Sequence, residues 1–268
     1  MLDFNHRPKV HEQVTALIDA ALVAERAAQP KRSYLGGSRL GASCERALQY
    51  EYAQALVDEG KDFDGRRLRI FEVGHSFEAM AIRWLRLAGF ELLTADIDGE
   101  QFGFSVADDR IQGHGDGIVI GGPAELGWRY PMLLEIKSMA DKPFKECVKK
   151  GVTLAKPVYA AQMAVYQAYL HDALNDALQK SPSRSALGAS LGLSDNPALY
   201  VAVNKDTQAL WFELVPFDGS LAQRMSDRGV RVVQATDTHE LLPRGFAQQT
   251  HVECRMCSYA QRCWKESR

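Results

Sequence analysis

The spacing of apolar positions changes along this chain and divides it into parts. Over residues 8–29 a stretch rich in Ala, Leu, Glu and Arg repeats its apolar side chains at helical intervals, which predicts an opening helix whose last turn meets Pro30. The Gly36-Gly37 pair breaks the pattern, and Ser38 to about Leu56 reads as a second helix with Cys44 near its beginning. Residues 69–88, RIFEVGHSFEAMAIRWLRLA, predict a third helix closed by Gly89. From Phe90 to about Met139 the period shortens. FELLTADI, RIQGHGDGIVI and MLLEIKSM, separated by Gly, Pro and Asp, are strand signals.

Beyond them, 141–150 predict a short helix and 156–178 a longer one in which Tyr159, Met163, Tyr166 and Leu170 share a face. A polar, Ser-rich loop follows at about 181–197. ALYVAVNK and ALWFELVPF then predict a hairpin, and 218–236 a last long helix. Helices around a run of strands make an α/β chain. It has no internal repeat, and the Ser-rich loop is too short to separate two domains, so one domain is expected over 1–268.

Composition narrows the reading. With 268 residues, 46% of them hydrophobic, the chain can bury one substantial core. No apolar run approaches the roughly 18 residues of a membrane span, and MLDFNHRPKVHEQ lacks the apolar core of a signal peptide. The expectation is a cytoplasmic protein with no membrane partner. A formal net charge of −2 argues against a uniformly basic nucleic-acid coat. It leaves local basic groups, Arg66, Arg67 and Arg69, and Lys142, Lys145, Lys149, Lys150 and Lys156, each of which also reads as an ordinary solvated face.

Three acidic and basic positions stand out within the strand run. Asp116 sits in GHGDGIVI, and Glu135-Ile136-Lys137 lies within MLLEIKSM. Alternation along a strand puts Glu135 and Lys137 on one side and Ile136 on the other, facing the core. With the Asp116 strand alongside, two carboxylates and one ammonium converge. Two close carboxylates repel unless a divalent cation neutralises them, and oxygen donors suit Mg²⁺ or Mn²⁺. Such an ion lowers the pKa of bound water and offsets charge on a phosphoryl oxygen, which is the chemistry of phosphodiester hydrolysis. An E-x-K triplet also occurs on many plain solvent-facing strands. Gln162 and Tyr166, at i and i+4, share a helical face and can reach one phosphate or base, or simply pack. His75 and Glu78, at i and i+3, are further metal-ligand candidates, or ordinary surface and core side chains.

The chain has five cysteines, a number that in a chain without a secretion signal favours thiols or metal ligands over disulfides. Cys147 reads as a structural thiol. Cys44 near the start and Cys254-x2-Cys257-x5-Cys263 at the end can join only if the two ends of the fold meet. Four thiolates suit either Zn²⁺ or an iron–sulfur cluster.

In this order, the residues resemble the RecB-like branch of the PD-(D/E)xK nuclease superfamily, especially the iron–sulfur exonucleases associated with CRISPR systems, their phage relatives and the nuclease domain of AddB. The matching features are Cys44, the Gly74-His75-Ser76-Phe77-Glu78 segment, Asp116, Glu135 to Lys137, Gln162 to Tyr166, and Cys254, Cys257 and Cys263. The resemblance implies a restriction-endonuclease-like core sheet flanked by helices over 69–236, a helical region over 1–68 and a cysteine tail over 237–268. It implies a [4Fe–4S] cluster on the four cysteines. It also implies a Mg²⁺- or Mn²⁺-dependent DNA exonuclease acting on single-stranded ends, with Asp116, Glu135, the Ile136 carbonyl and Glu78 or His75 at the metal. Lys137 would act on the attacking water, and Gln162 and Tyr166 would position DNA. Family members usually carry a histidine four positions after the glycine, and here that position is Glu78, which is favoured over His75 as the extra ligand. A dormant nuclease fold serving as a DNA-binding or accessory protein in recombination or CRISPR adaptation is the rival reading, with a zinc-stabilised protein lacking enzymatic function behind it.

Overall fold

The structure, a computed structural model, describes residues 9–95, 99–171 and 192–265. In chain order its helices are α1 (Val10–Ala28), α2 (Glu45–Tyr52), α3 (Gly65–Leu87), α4 (Asp141–Lys150), α5 (Val152–Ala155), α6 (Pro157–Tyr169), α7 (Gly219–Asp237), α8 (Val252–Met256) and α9 (Ala260–Lys265). Its strands are β1 (Leu35–Gly36), β2 (Glu91–Leu93), β3 (Gly103–Val106), β4 (Ile111–His114), β5 (Gly117–Gly121), β6 (Met132–Met139), β7 (Ala198–Asn204) and β8 (Leu210–Val215).

The main sheet runs β2-β5-β6-β7-β8, and a small second sheet runs β1-β4-β3. In the main sheet β6 and β7 are parallel and the other neighbours antiparallel. A parallel pair needs a long crossover, and the chain between β6 and β7 makes it, carrying α4, α5 and α6 along the way. On one side of the sheet Phe144, Val152, Met163 and Val165 from this crossover join Leu133, Tyr200 and Ala202 in one core cluster. On the other, α3 lays Phe77, Ala81 and Leu85, spaced four apart, against Val119, Leu134, Ile136 and Val201. The result is a mixed α/β fold with helices on both sides of its larger sheet. Cover on both faces explains why β7 is buried at every position and why β6 does not alternate cleanly between apolar and polar.

Several expected elements take a different form. The expected second helix is a turn of 3₁₀ helix at Gly37–Arg39 followed by α2, with Cys44 as its N-cap residue. The upstream residues are drawn away because β1 pairs in parallel with β4. RIQGHGDGIVI is two strands in two different sheets, β4 and β5, and the chain leaves one sheet for the other across Gly115 and Asp116. The third helix starts at Gly65, where the Asp64 carboxylate accepts the Arg67 N–H at 2.8 Å as a cap. The strand β3 and the short helix α5 add to the predicted set. The hairpin and the helices over 141–150 and 218–236 form as predicted, while most of the Ser-rich loop and the end of the 156–178 helix lie outside the described residues. α1 buries none of its residues and is tied to α3 by the Asp19–Arg69 ion pair. No described helix is long and apolar enough to cross a membrane.

Candidate active site and cysteine centre

The antiparallel pairing of β5 with β6 runs from Val119–Met132 to Gly117–Leu134 and stops there. One ladder step further on β6, the Ile136 N–H has lost its strand partner. The Asp116 carboxylate takes that place, accepting the N–H at 2.6 Å. A residue's N–H and C=O point to the same side of a strand, so the Ile136 carbonyl also faces the space where β5 has ended. This geometry follows from the change of sheet at Gly115 and Asp116. The change sets an acidic side chain beside an interrupted strand edge.

Glu135 and Lys137 share the side of β6 opposite Ile136, which packs in the α3-side cluster. The expectation that only Ile136 faces a core is corrected here: the sheet is covered on both sides, and Glu135 is 0% exposed. Lys137 makes ion-pair contact with Glu135, and its ammonium lies 5.6 Å from the Tyr159 ring centre. That ion-pair contact is to Oε1, and the other buried oxygen, Oε2, has no hydrogen-bond partner among the described residues. A fully buried carboxylate with an unpartnered oxygen is costly, and Lys137 is a single positive charge among Glu135, Asp116 and Glu78.

The electrostatics agree. Burial pushes Glu135 up to about 8, Lys137 opposes the shift, and Asp116 and Glu78 add to it. Burial also raises Asp116, against the pull of Lys137, the Ile136 N–H and His75. On α3, Glu78 is pushed up to about 7, first by burial and then by Asp116, with Lys137 opposing. For Lys137 burial acts downward, but the fields of Glu135 and Asp116 outweigh it and leave the ammonium above its ordinary value. Asp116, Glu135, Lys137, Glu78 and His75 therefore share one electrostatic neighbourhood, with three acids held back from ionisation.

Gln162 and Tyr166 are both buried on α6. Tyr166 meets Phe104 edge-on at 5.4 Å, and its phenol, held high by burial and by the charges of Glu135 and Asp116, lies beside Ser38. Gly37 and Gly113 make room for it: a Cβ at Gly37 would stand 3.0 Å from the Tyr166 ring, and one at Gly113 2.8 Å. Tyr166 thus packs against the turn that carries Gly37 and Ser38. Ser38 and Gly113 were not singled out from sequence; Tyr159 was read only as part of the apolar face of the helix with Tyr166, and the Gly36-Gly37 pair only as a break. Of the basic groups, Arg69 pairs with Asp19, Lys145 with Asp141 and Lys150 with Glu146, so these members serve local helix contacts.

At the other centre the two ends of the chain meet. Cys254 lies in α8, Cys257 directly after it and Cys263 in α9, while Cys44 caps α2. The Cys257 thiol, raised by burial, is raised further by Cys44, Cys263 and Cys254, and Cys254 likewise by Cys44 and Cys263. All four thiols are free. The tail is docked by Asp58, whose carboxylate accepts the Gln261 and Arg262 N–H groups at 2.6 and 3.2 Å and so caps α9. Lys61 donates to the Arg255 carbonyl at 2.8 Å, and Tyr50 packs on Tyr259 at 5.4 Å. Cys147 is fully buried in the main core, away from the other four.

As the side chains stand, no three His, Cys, Asp or Glu among the described residues are arranged to hold one ion. The donor chemistry fits both implied groups all the same. A buried Glu135 oxygen without a partner and raised acids at the first centre match a hard divalent ion, and four neighbouring free thiols at the second match zinc or an iron–sulfur cluster.

No family model and no curated protein matches the chain. Solved structures do. A crystal structure described as that of SSO0001 is 14% identical and covers 97% of this chain and 100% of its own, with a TM-score of 0.50. An alkaline exonuclease from Laribacter hongkongensis, LHK-Exo, is 13% identical over 82% of this chain and 93% of its own, with a TM-score of 0.46. LHK-Exo in complex with dAMP gives 13% identity, 84% and 93% coverage and a TM-score of 0.45. At 14% identity the first of these is a likeness of fold.

Proposed function

We propose that this chain is a metal-dependent DNA exonuclease of the RecB-like PD-(D/E)xK type that hydrolyses phosphodiester bonds at single-stranded ends and carries a structural [4Fe–4S] cluster. The observation that carries the reading is the fully buried Glu135 carboxylate, with Lys137 on one oxygen and no partner for the other, beside Asp116 at an interrupted strand edge. Such a cluster is expensive for a protein that only binds.

Asp116 and Glu135, with the Ile136 carbonyl and Glu78 in preference to His75, would hold Mg²⁺ or Mn²⁺. Bound there, the ion would supply an acidified water and neutralise charge on the phosphoryl oxygen. Asp116 fixes the strand edge through the Ile136 N–H, which keeps the ligand groups in register. Lys137, kept as an ammonium by the two carboxylates, orients the attacking water and offsets the negative charge that develops in the transition state. Gln162 and Tyr166, both buried on α6, would position DNA indirectly, Tyr166 through the turn that carries Ser38. Contacts to phosphates carry no base information, so sequence preference is slight and affinity falls with salt. The cysteine centre closes the two chain ends around this core over 44–263 and takes no part in hydrolysis.

The test is digestion of single- and double-stranded DNA in Mg²⁺, Mn²⁺ or chelator, with wild type and Glu135→Gln side by side. Degradation by wild type in either metal, and by neither protein in chelator, is expected. Intact DNA in both metals sinks the catalytic reading, and a colourless protein with stoichiometric zinc sinks the iron–sulfur part.

A further inference from the structure

Arg46 is among the largest fully buried side chains of the described structure, at 1% exposure. An arginine cannot shed its charge in a protein, so a guanidinium removed from water needs either a full set of acceptors or a counter-charge. Among the described residues no carboxylate makes an ion pair with it. Its Nε donates to the Leu242 carbonyl, and its Nη1 lies 4.0 Å from the Cys263 sulfur. Cys44 is two positions away on the same turn, at the cap of α2. The contact capable of carrying negative charge is therefore a cysteine of the tail.

Cys263 is gripped from its backbone side as well. Arg244 donates to the Cys263 carbonyl through Nε at 3.1 Å and Nη2 at 2.9 Å, and its guanidinium lies 4.6 Å from the Trp264 ring centre. Gln49, on the same face of α2 as Arg46, bonds the Glu240 carbonyl and the Leu242 N–H, so the segment that carries Arg244 is tied to the helix that carries Arg46. Four thiolates around zinc or around a cubane cluster leave a net negative charge in either case, and burial makes that charge expensive.

We propose that Arg46 is the built-in counter-charge of the four-cysteine centre: its buried guanidinium offsets the net negative charge of the thiolate-bound metal and sets how firmly the metal is held. Arg46 is a positioning residue, and Cys44, Cys254, Cys257 and Cys263 remain the ligands. The inference rests on the cysteine part of the proposed function and is independent of the nuclease part. It applies to zinc and to an iron–sulfur cluster alike, because both share the anionic thiolate shell.

The experiment uses the full chain purified without oxygen, as wild type, Arg46→Met, Arg46→Lys, Cys263→Ser and the Arg46→Met/Cys263→Ser double variant. Metal per chain, the rate of metal release to a chelator and the unfolding midpoint are measured for each. Arg46→Met is expected to release its metal about tenfold or more faster than wild type, the size of effect typical for groups that support metal ligands, with Arg46→Lys between the two. Arg46→Met is also expected to destabilise wild type but not the Cys263→Ser chain, where the guanidinium has lost its counter-charge. Wild-type release from Arg46→Met overturns the proposal, and so does equal destabilisation in both backgrounds, which would make Arg46 a tether for Leu242 alone. A wild type that binds no metal at all overturns the cysteine reading itself, a distinguishable failure.

Discussion

Raising the pH of the metal-free protein should cost it stability in a way that one side chain controls. Glu135 has an ordinary value of 4.5 and is held at about 8 in the fold, chiefly by burial. A carboxyl raised by folding gives stability that is complete below its unfolded value and is lost as pH rises through the folded one. At pH 6 the folded chain holds close to one more proton at Glu135 than the unfolded chain does, and this excess falls to about a half by pH 8. The slope is then about 1.4 kcal/mol per pH unit at pH 6, and the loss is on the order of 2–3 kcal/mol between pH 6 and 8. For a chain of this size that corresponds to a fall in Tm of roughly 5–10 °C. Glu78, held at about 7, adds a smaller part that solvent screening reduces. The assay is thermal unfolding at pH 6, 7 and 8 with chelator, wild type against Glu135→Gln, whose neutral amide cannot titrate. The wild-type midpoint should fall more steeply than that of the variant, and millimolar Mg²⁺ or Mn²⁺ should restore it at pH 8. Parallel profiles for the two proteins, or a wild type that gains stability with pH, would refute the reasoning.

Other consequences are open to direct measurement. Gly113→Val would drive a side chain to within 2.5 Å of Phe104 and 2.8 Å of Tyr166, and should destabilise by about 1–3 kcal/mol in urea titrations. Lys137→Ala should slow DNA hydrolysis at least about a hundredfold with little change in DNA affinity on filter binding. Cys257→Ala should lower metal content and soluble yield before it alters hydrolysis per folded molecule, and a soluble, metal-replete, fully active variant would count against the cysteine clasp. Tyr166→Phe, which removes only the hydroxyl beside Ser38, should cost about 1 kcal/mol of stability or less on calorimetry.

Elements whose local signals agreed with their tertiary setting were legible in the sequence. MLLEIKSM is β6 to the residue, 141–150 is α4, and ALYVAVNK with ALWFELVPF is the β7–β8 hairpin. The turn of 3₁₀ helix before α2 was hidden, because the parallel pairing of Leu35 with Ile111 is a contact between residues distant in sequence that no local period reports. RIQGHGDGIVI read as one strand segment; what divides it is the passage from one sheet to another at Gly115 and Asp116, inside the polar, glycine-rich run between Ile111 and Ile118. That passage makes the candidate site: Asp116 was visible as an acid among small residues, but the change of sheet that places it is a tertiary fact with no local signal. Asp116, Glu135 and Lys137 were visible as residue types at suggestive spacing, while the complete burial of Glu135 depends on cover from both sides of the sheet. Arg46 passed unnoticed because a buried cation looks like any surface arginine until the chain ends meet around it.

The central claim is tested most directly with end-labelled linear single-stranded DNA and the same DNA closed into a circle, incubated with Mn²⁺ and either wild type or Asp116→Asn. Wild type is expected to shorten the linear strand and spare the circle, and Asp116→Asn to leave both intact while remaining folded. Equal loss of linear DNA with Asp116→Asn, or no loss with wild type in Mn²⁺ or Mg²⁺, would contradict it.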